Sequence, residues 1–257
     1  MLVFGSFDTV AQTDTVFNQT DAAGLKQGWW KKPYPNGKPM YKGYFKDNRP
    51  VGVMKRYFES GKLRAILVYD KQGESSRVTL FYDDGQKAAE GKYFGTQKDS
   101  TWTYYSYYSH TPTTKENYNR GVREGLMLHY YNNGNVSEKI YWKADLKDGV
   151  WEQYFNNNIL KLKGTYKKGK LEGVFTVNYE DGKPYLSGSY VNDLREGKWI
   201  LYNEERGVAR EITYKNGMSP DEEKLDARQQ EMIRMIEENK GRIEEPDEIN
   251  FMSPGGR

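Results

Sequence analysis

The sequence predicts an all-β repeat fold, an elongated single-layer antiparallel meander of about eight 24-residue hairpins followed by a C-terminal α-helix. Three observations point there: a glycine register that recurs along most of the chain, two columns of large apolar and aromatic residues locked to that register, and a composition rich in rings and turn formers. Composition removes the main alternative. Of 257 residues, 36% are hydrophobic and 15% aromatic, with 22 Tyr and 6 Trp beside 26 Gly. A compact core draws mainly on Leu, Ile and Val, so rings packed against glycines must supply much of the buried apolar area here.

The register is set by Gly28, Gly52, Gly125, Gly149, Gly173 and Gly197, with Ser76 and Ser100 in the same place in the third and fourth units. The spacing is 24 residues throughout, except for 25 between Ser100 and Gly125. Self-similarity at a fixed period of this length is the mark of a repeat array. Two places after each anchor stand Trp30, Met54, Val78, Trp102, Met127, Trp151, Phe175 and Trp199. Seventeen places after it, allowing for the extra residue in unit four, stand Phe45, Tyr69, Tyr93, Tyr118, Trp142, Tyr166, Tyr190 and Tyr214. At the overall aromatic frequency of 15%, an unbroken aromatic column is not a chance alignment.

Within a unit the order is strand, turn, strand, turn. Short β-prone runs end in paired rings such as Tyr57-Phe58, Tyr130-Tyr131 and Tyr154-Phe155. The turn dipeptides Asn36-Gly37, Asp84-Gly85, Asn133-Gly134 and Asp181-Gly182 follow, and these tolerate the positive φ of tight hairpins. Gly43, Gly91, Gly164 and Gly188 precede the aromatic column by two, where a missing Cβ lets a neighbouring ring lie against the backbone. Sixteen or so strands at ~4.8 Å spacing give an array about 77 Å long. A compact domain of this length has a radius of gyration near ~18 Å, whereas the extended array should exceed about 22 Å.

The ends differ from the array. The expected division is residues 1–27 as a leading segment and strand, 28–218 as the repeats, 219–241 as the helix and 242–257 as an acidic disordered tail. Ser219-Pro220-Asp221-Glu222 reads as an N-cap with Pro at the first helical position. Leu225, Met232, Ile233 and Ile236 then share one helical face, which suits a cap over the last hairpin's open edge. At the start, Leu2-Val3-Phe4-Gly5-Ser6-Phe7 is too short for a signal peptide, yet Thr9-Val10-Ala11 before Gln12 has the small residues of a cleavage site. Export and cytoplasmic residence both stay open.

Several chemistries are disfavoured. The chain has no Cys and only His110 and His129, which removes disulfides, thiolate sites and histidine-rich metal centres. No P-loop, nucleophile elbow or dinucleotide fingerprint is present, so neither a cofactor nor catalysis is expected. His129 sits in a column filled elsewhere by Lys32, Arg56, Gln153 and Leu201, as a variable surface residue would. The net charge of +3 divides unevenly. Residues 219–257 hold 11 acidic and 6 basic residues, net −5, which leaves 33 basic against 25 acidic, net +8, over 1–218. Because the basic residues look dispersed among acids, a nucleic-acid partner is not expected.

These residues resemble the bacterial variant of the MORN repeat (membrane occupation and recognition nexus). The fullest match is Gly149-Val150-Trp151-Glu152-Gln153-Tyr154-Phe155 with Gly164-Thr165-Tyr166-Lys167-Lys168-Gly169. The resemblance, which extends to antitoxin-like MORN repeat proteins, implies a curved single-layer scaffold, with lipid binding or dimerisation in some members. Units three and four depart from it, and Ser109-His110-Thr111-Pro112-Thr113-Thr114 replaces a tight turn with a loop, a frequent place for binding residues.

Function follows from strand alternation. Neighbouring strand residues face opposite ways, so one ring of each pair should line an exposed stripe. Tyr57, Tyr105, Tyr130, Tyr154 and Tyr202, with His110 in the loop, form the candidate binding surface; cross-strand stacking that merely stabilises a thin sheet is the structural alternative. Two functions are expected to compete: a protein-binding scaffold, self-associating through an aromatic groove, and a peripheral binder of an anionic membrane or cell-envelope polymer through basic and aromatic repeat surface.

Overall fold

The computed structural model describes residues 15–203, 205, 207–219 and 234. The expected helix and tail lie outside the described residues except for Ser219 and Arg234, as does the leading segment before residue 15. Nineteen strands are present among the described residues, and the pairings within each unit are antiparallel. The chain divides into two units, residues 1–77 and 78–257.

In the first unit, β1 (Gln19–Thr20), β2 (Lys26–Pro33), β3 (Pro39–Lys46), β4 (Arg49–Tyr57) and β5 (Leu63–Tyr69) pair in chain order. β6 (Ser75–Phe81) spans the division. The second unit continues with β7 (Lys87–Phe94), β8 (Gln97–Tyr105), β9 (Pro112–Asn119), β10 (Val122–Arg123), β11 (Gly125–Tyr130), β12 (Val136–Lys143) and β13 (Leu146–Tyr154). It ends with β14 (Leu160–Lys167), β15 (Lys170–Leu171), β16 (Gly173–Asn178), β17 (Pro184–Val191), β18 (Leu194–Tyr202) and β19 (Val208–Tyr214). The long strands of the second unit from β7 onward pair in chain order, as a meander requires, with the two-residue β10 and β15 lying beside β11 and β16 against β9 and β14.

The anchor column owes its glycines to backbone conformation. Gly28, Gly52, Gly125, Gly149, Gly173 and Gly197 all have positive φ, between 66° and 129°, and Ser100 holds the same conformation at 60°. The ladder shifts register beside this column, for example between Ile140 and Trp142 opposite β13. A residue in the left-handed region at such a bulge bends and twists the strand, and glycine enters that region without a Cβ penalty.

Both side-chain columns point to one face, which is the buried one. Met54, Val78, Trp102, Met127, Trp151, Phe175 and Trp199 are buried, and so are Phe45, Tyr93, Tyr166, Tyr190 and Tyr214. Trp30, Tyr69, Tyr118 and Trp142 are half-buried. The rings run edge to face along the second unit: Phe175–Tyr190 at 5.2 Å, Tyr190–Trp199 at 5.1 Å and Trp199–Tyr214 at 6.1 Å between centroids. A Cβ added at Gly91 or Gly188 would overlap the indole of Trp102 or Trp199. The ring-over-glycine packing expected from the sequence is what lets a thin sheet bury large side chains.

Hairpins are joined to one another by a device the sequence reading did not contain. The tyrosine that follows the first strand of one hairpin donates its hydroxyl to the backbone carbonyl of the tyrosine that ends the first strand of the next. The bonds are Tyr34 to Tyr57 at 2.9 Å, Tyr82 to Tyr105 at 2.6 Å, Tyr131 to Tyr154 at 2.7 Å and Tyr179 to Tyr202 at 3.1 Å. The equivalent residues in the intervening hairpins, Phe58, Ser106, Phe155 and Asn203, are not tyrosines. The hydroxyl ties therefore alternate, one to two, three to four, five to six and seven to eight, while Asn117 Nδ2 donating to the Leu126 carbonyl at 2.6 Å and Asn178 Nδ2 to the Leu160 carbonyl at 3.0 Å join four to five and six to seven.

Candidate binding surface

The tyrosines expected to form an exposed stripe lie on the face opposite the core columns, but Tyr57, Tyr105, Tyr130, Tyr154 and Tyr202 are each half-buried. Of the residues that follow them, the rings of Phe58, Tyr131 and Phe155 are half-buried too, and the Tyr131 hydroxyl is used in a tie to the next hairpin. Strand alternation is obeyed, yet neither member of a pair stands free in solvent. Tyr105 donates to Glu90 Oε1, and Tyr154 donates to Glu152 Oε2 at 2.7 Å while accepting from Lys139 at 3.1 Å.

Those partners belong to a continuous row across the second unit. Cross-strand pairing aligns Glu90, Thr103, Lys115, Leu128, Lys139, Glu152, Lys163, Thr176, Ser187, Ile200 and Glu211. The row's charges are matched. Glu152 lies between Lys163 at 3.2 Å and Lys139 at 3.9 Å, Lys87 meets Glu90 at 2.8 Å, and Lys198 meets Glu211 at 2.8 Å. The Tyr154 hydrogen bond first, then the two lysines, hold the Glu152 carboxyl below its usual range.

The corresponding row of the first unit is built differently. Lys31 faces Lys42 and Lys42 faces Lys55 as direct cross-strand partners, with Ile66 opposite Lys55. All three lysines are exposed. Strands β2, β3, β4 and β5 carry three, two, three and one basic residues and no Asp or Glu. The interleaving of acids and bases expected from the sequence thus holds for the row of the second unit and fails for these four strands. Beside the lysine row runs an apolar one. Trp29 (38% exposed) pairs with Tyr44 (42%), ring edge to face at 5.7 Å, and Val53 (45%) pairs with Val68 (46%). Phe17 lies near Lys31 and Lys42, 4.6 and 5.1 Å from its centroid to the two ammonium groups.

The loop in unit four spans residues 106–111, since Pro112–Asn119 forms β9. His110 is exposed there with φ of 57°. Tyr108 is almost fully exposed, and Tyr107 packs edge-on against Tyr82 at 5.0 Å. His129, expected at the surface, is instead buried: Nδ1 is 3.0 Å from Thr114 Oγ1 and Nε2 is 3.7 Å from Glu138 Oε2. Glu138 also accepts from Trp151 Nε1 at 2.8 Å and Gln153 Nε2 at 2.9 Å. His129 shares the inner-face row with apolar Val177 and Leu201, so a variable column was mistaken for an exposed one.

The comparisons agree with the geometry. Residues 27–47, 50–71, 123–144, 147–168 and 171–192 match the family described as the MORN repeat variant. These segments are units one, two, five, six and seven. The unmatched stretch 72–122 contains Ser76, Ser100 and the 106–111 loop, where the register is weakest. No curated protein gives a match. The five matching segments share one register and one strand order, and in these the chain is similar to the MORN repeat variant.

Proposed function

We propose that this protein is a non-enzymatic scaffold that binds a protein partner on the sheet face opposite its core. The observation that supports this most is the first unit's outer face, where Trp29, Tyr44, Val53 and Val68 stand partly exposed on a sheet whose other face holds the packed rings. Apolar and aromatic groups gathered on one face, with a polar rim, are what association uses. Val53→Asp with Val68→Asp tests it. Because Val53 and Val68 are direct cross-strand partners, the two facing carboxylates should cost on the order of 1 kcal/mol of stability, while the fold is retained by circular dichroism and capture of a defined partner from host extract by the tagged protein should be lost. Retained capture with an unchanged set of partners would contradict the proposal.

A second reading, peripheral attachment to an anionic membrane or envelope polymer, draws on the absence of acids from β2 to β5. Sedimentation with anionic vesicles at low and high salt tests it: salt-sensitive pelleting is its expected result, and no pelleting at low salt removes it.

A further inference from the structure

We infer that the Lys31–Lys42–Lys55 row is a docking site for an acidic polypeptide segment, one carrying an acidic stripe beside an apolar stripe at helical spacing. The inference rests on the protein-binding reading and names the partner's chemistry at the same face. Like charges directly opposite each other on a sheet are destabilising. In the second unit the matching row removes that cost internally, by setting Glu152 between Lys139 and Lys163. In the first unit the equivalent positions are three lysines in succession. Among the described residues of that unit, Asp21, Asp47 and Glu59 lie off the strands. A site that keeps an unfavourable charge row where its sister row is neutralised is arranged for an acid from elsewhere.

The spacing selects the form of that acid. Lysines on three adjacent strands stand ~4.8 Å apart. Carboxylates three or four residues apart on a helix are about 5–6 Å apart, close to this interval, whereas alternate residues of an extended chain are about 7 Å apart. The Trp29–Tyr44 and Val53–Val68 pairs lie two residues along the strands from the lysines, so an apolar stripe flanking the acidic one would meet them. Phosphate sites, by contrast, favour guanidinium forks or clustered backbone N–H groups, and the row offers single ammonium points. A membrane anchor would project its rings, yet Trp29 is packed edge to face on Tyr44 with the Lys42 ammonium 5.6 Å from its centroid.

The test uses the full chain and a labelled synthetic 18-residue helical peptide with Glu at i, i+4 positions and Leu beside them, followed by fluorescence anisotropy. Binding is expected at low salt and should weaken steeply with added salt. It should fall at least about tenfold in Lys42→Gln/Lys55→Gln, about 1.4 kcal/mol. Lys139→Gln, on the neutralised row, should bind like the wild type. The same peptide with Lys in place of Glu should not bind. No binding at low salt, equal loss in Lys139→Gln, or binding only of phosphatidylserine vesicles or a DNA duplex would overturn the inference. If the acidic peptide fails while Val53→Asp/Val68→Asp still abolishes partner capture, the scaffold reading stands and this one alone falls.

Discussion

Glycine serves two separate purposes in this chain, and substitution separates them. At Gly188 the constraint is clearance: an alanine methyl would overlap the Trp199 indole. Gly188→Ala should cost about 1–3 kcal/mol in urea unfolding, the usual penalty of overpacking. At Gly197 nothing lies within 4 Å of an added Cβ, but φ is +71°. Gly197→Ala should cost about 1 kcal/mol through backbone conformation alone. Ser100 already carries that penalty at φ 60°, so Ser100→Gly should raise stability by up to about 1 kcal/mol. Periodicity made both glycine columns legible. The clearance role followed from the aromatic column two residues on, while the positive φ of the anchors depended on a bulge that no single unit announces. His129 was misplaced for a related reason, since column variability does not separate a solvated position from one where the core changes from Leu and Val to a hydrogen-bonded group.

At the scale of elements, the hydroxyl ties should add to the coupling within alternate pairs of hairpins. Tyr131→Phe removes one tie and leaves the Tyr154 carbonyl without that donor, which should cost about 1 kcal/mol. Amide hydrogen exchange should then show hairpins five and six opening at different free energies, with the seven–eight pair unaffected; unchanged coupling between five and six would contradict the paired organisation. The cross-strand charge row adds a pH dependence. Glu152 titrates below its usual range in the folded state, so its contribution is present above the unfolded-state pKa and is lost as pH falls through the folded one. The stability gap between wild type and Glu152→Gln, read by thermal unfolding, should therefore shrink on acidification from about pH 6 to pH 3. Neither device was legible in the sequence. Strand order and the turns were, but the long ladders step by one or two residues at bulges, and those steps decide which lysine faces which glutamate. The paired rings were visible as a motif; their hydroxyls' acceptors lie one repeat away on the backbone.

For the molecule as a whole, the repeat gives every hairpin the same two faces and the sequence varies one of them. The core columns are nearly invariant in kind, because rings over glycines are the means by which each sheet buries apolar area. The outer columns differ between the units in charge, which is matched in the second and is a lysine row in the first, while exposed apolar residues stand beside both, Tyr44 and Val53 in the first and Tyr141 and Val174 in the second. The central claim is that this outer face meets a protein partner. The most direct measurement is site-specific photo-crosslinking in the native host, with the reactive side chain at Tyr44, at Val68 and, as a turn control, at Asn133. The expected result is a discrete adduct of common mass from Tyr44 and Val68 and none from Asn133. Adducts from Asn133 alone, or none from either outer-face position, would contradict it.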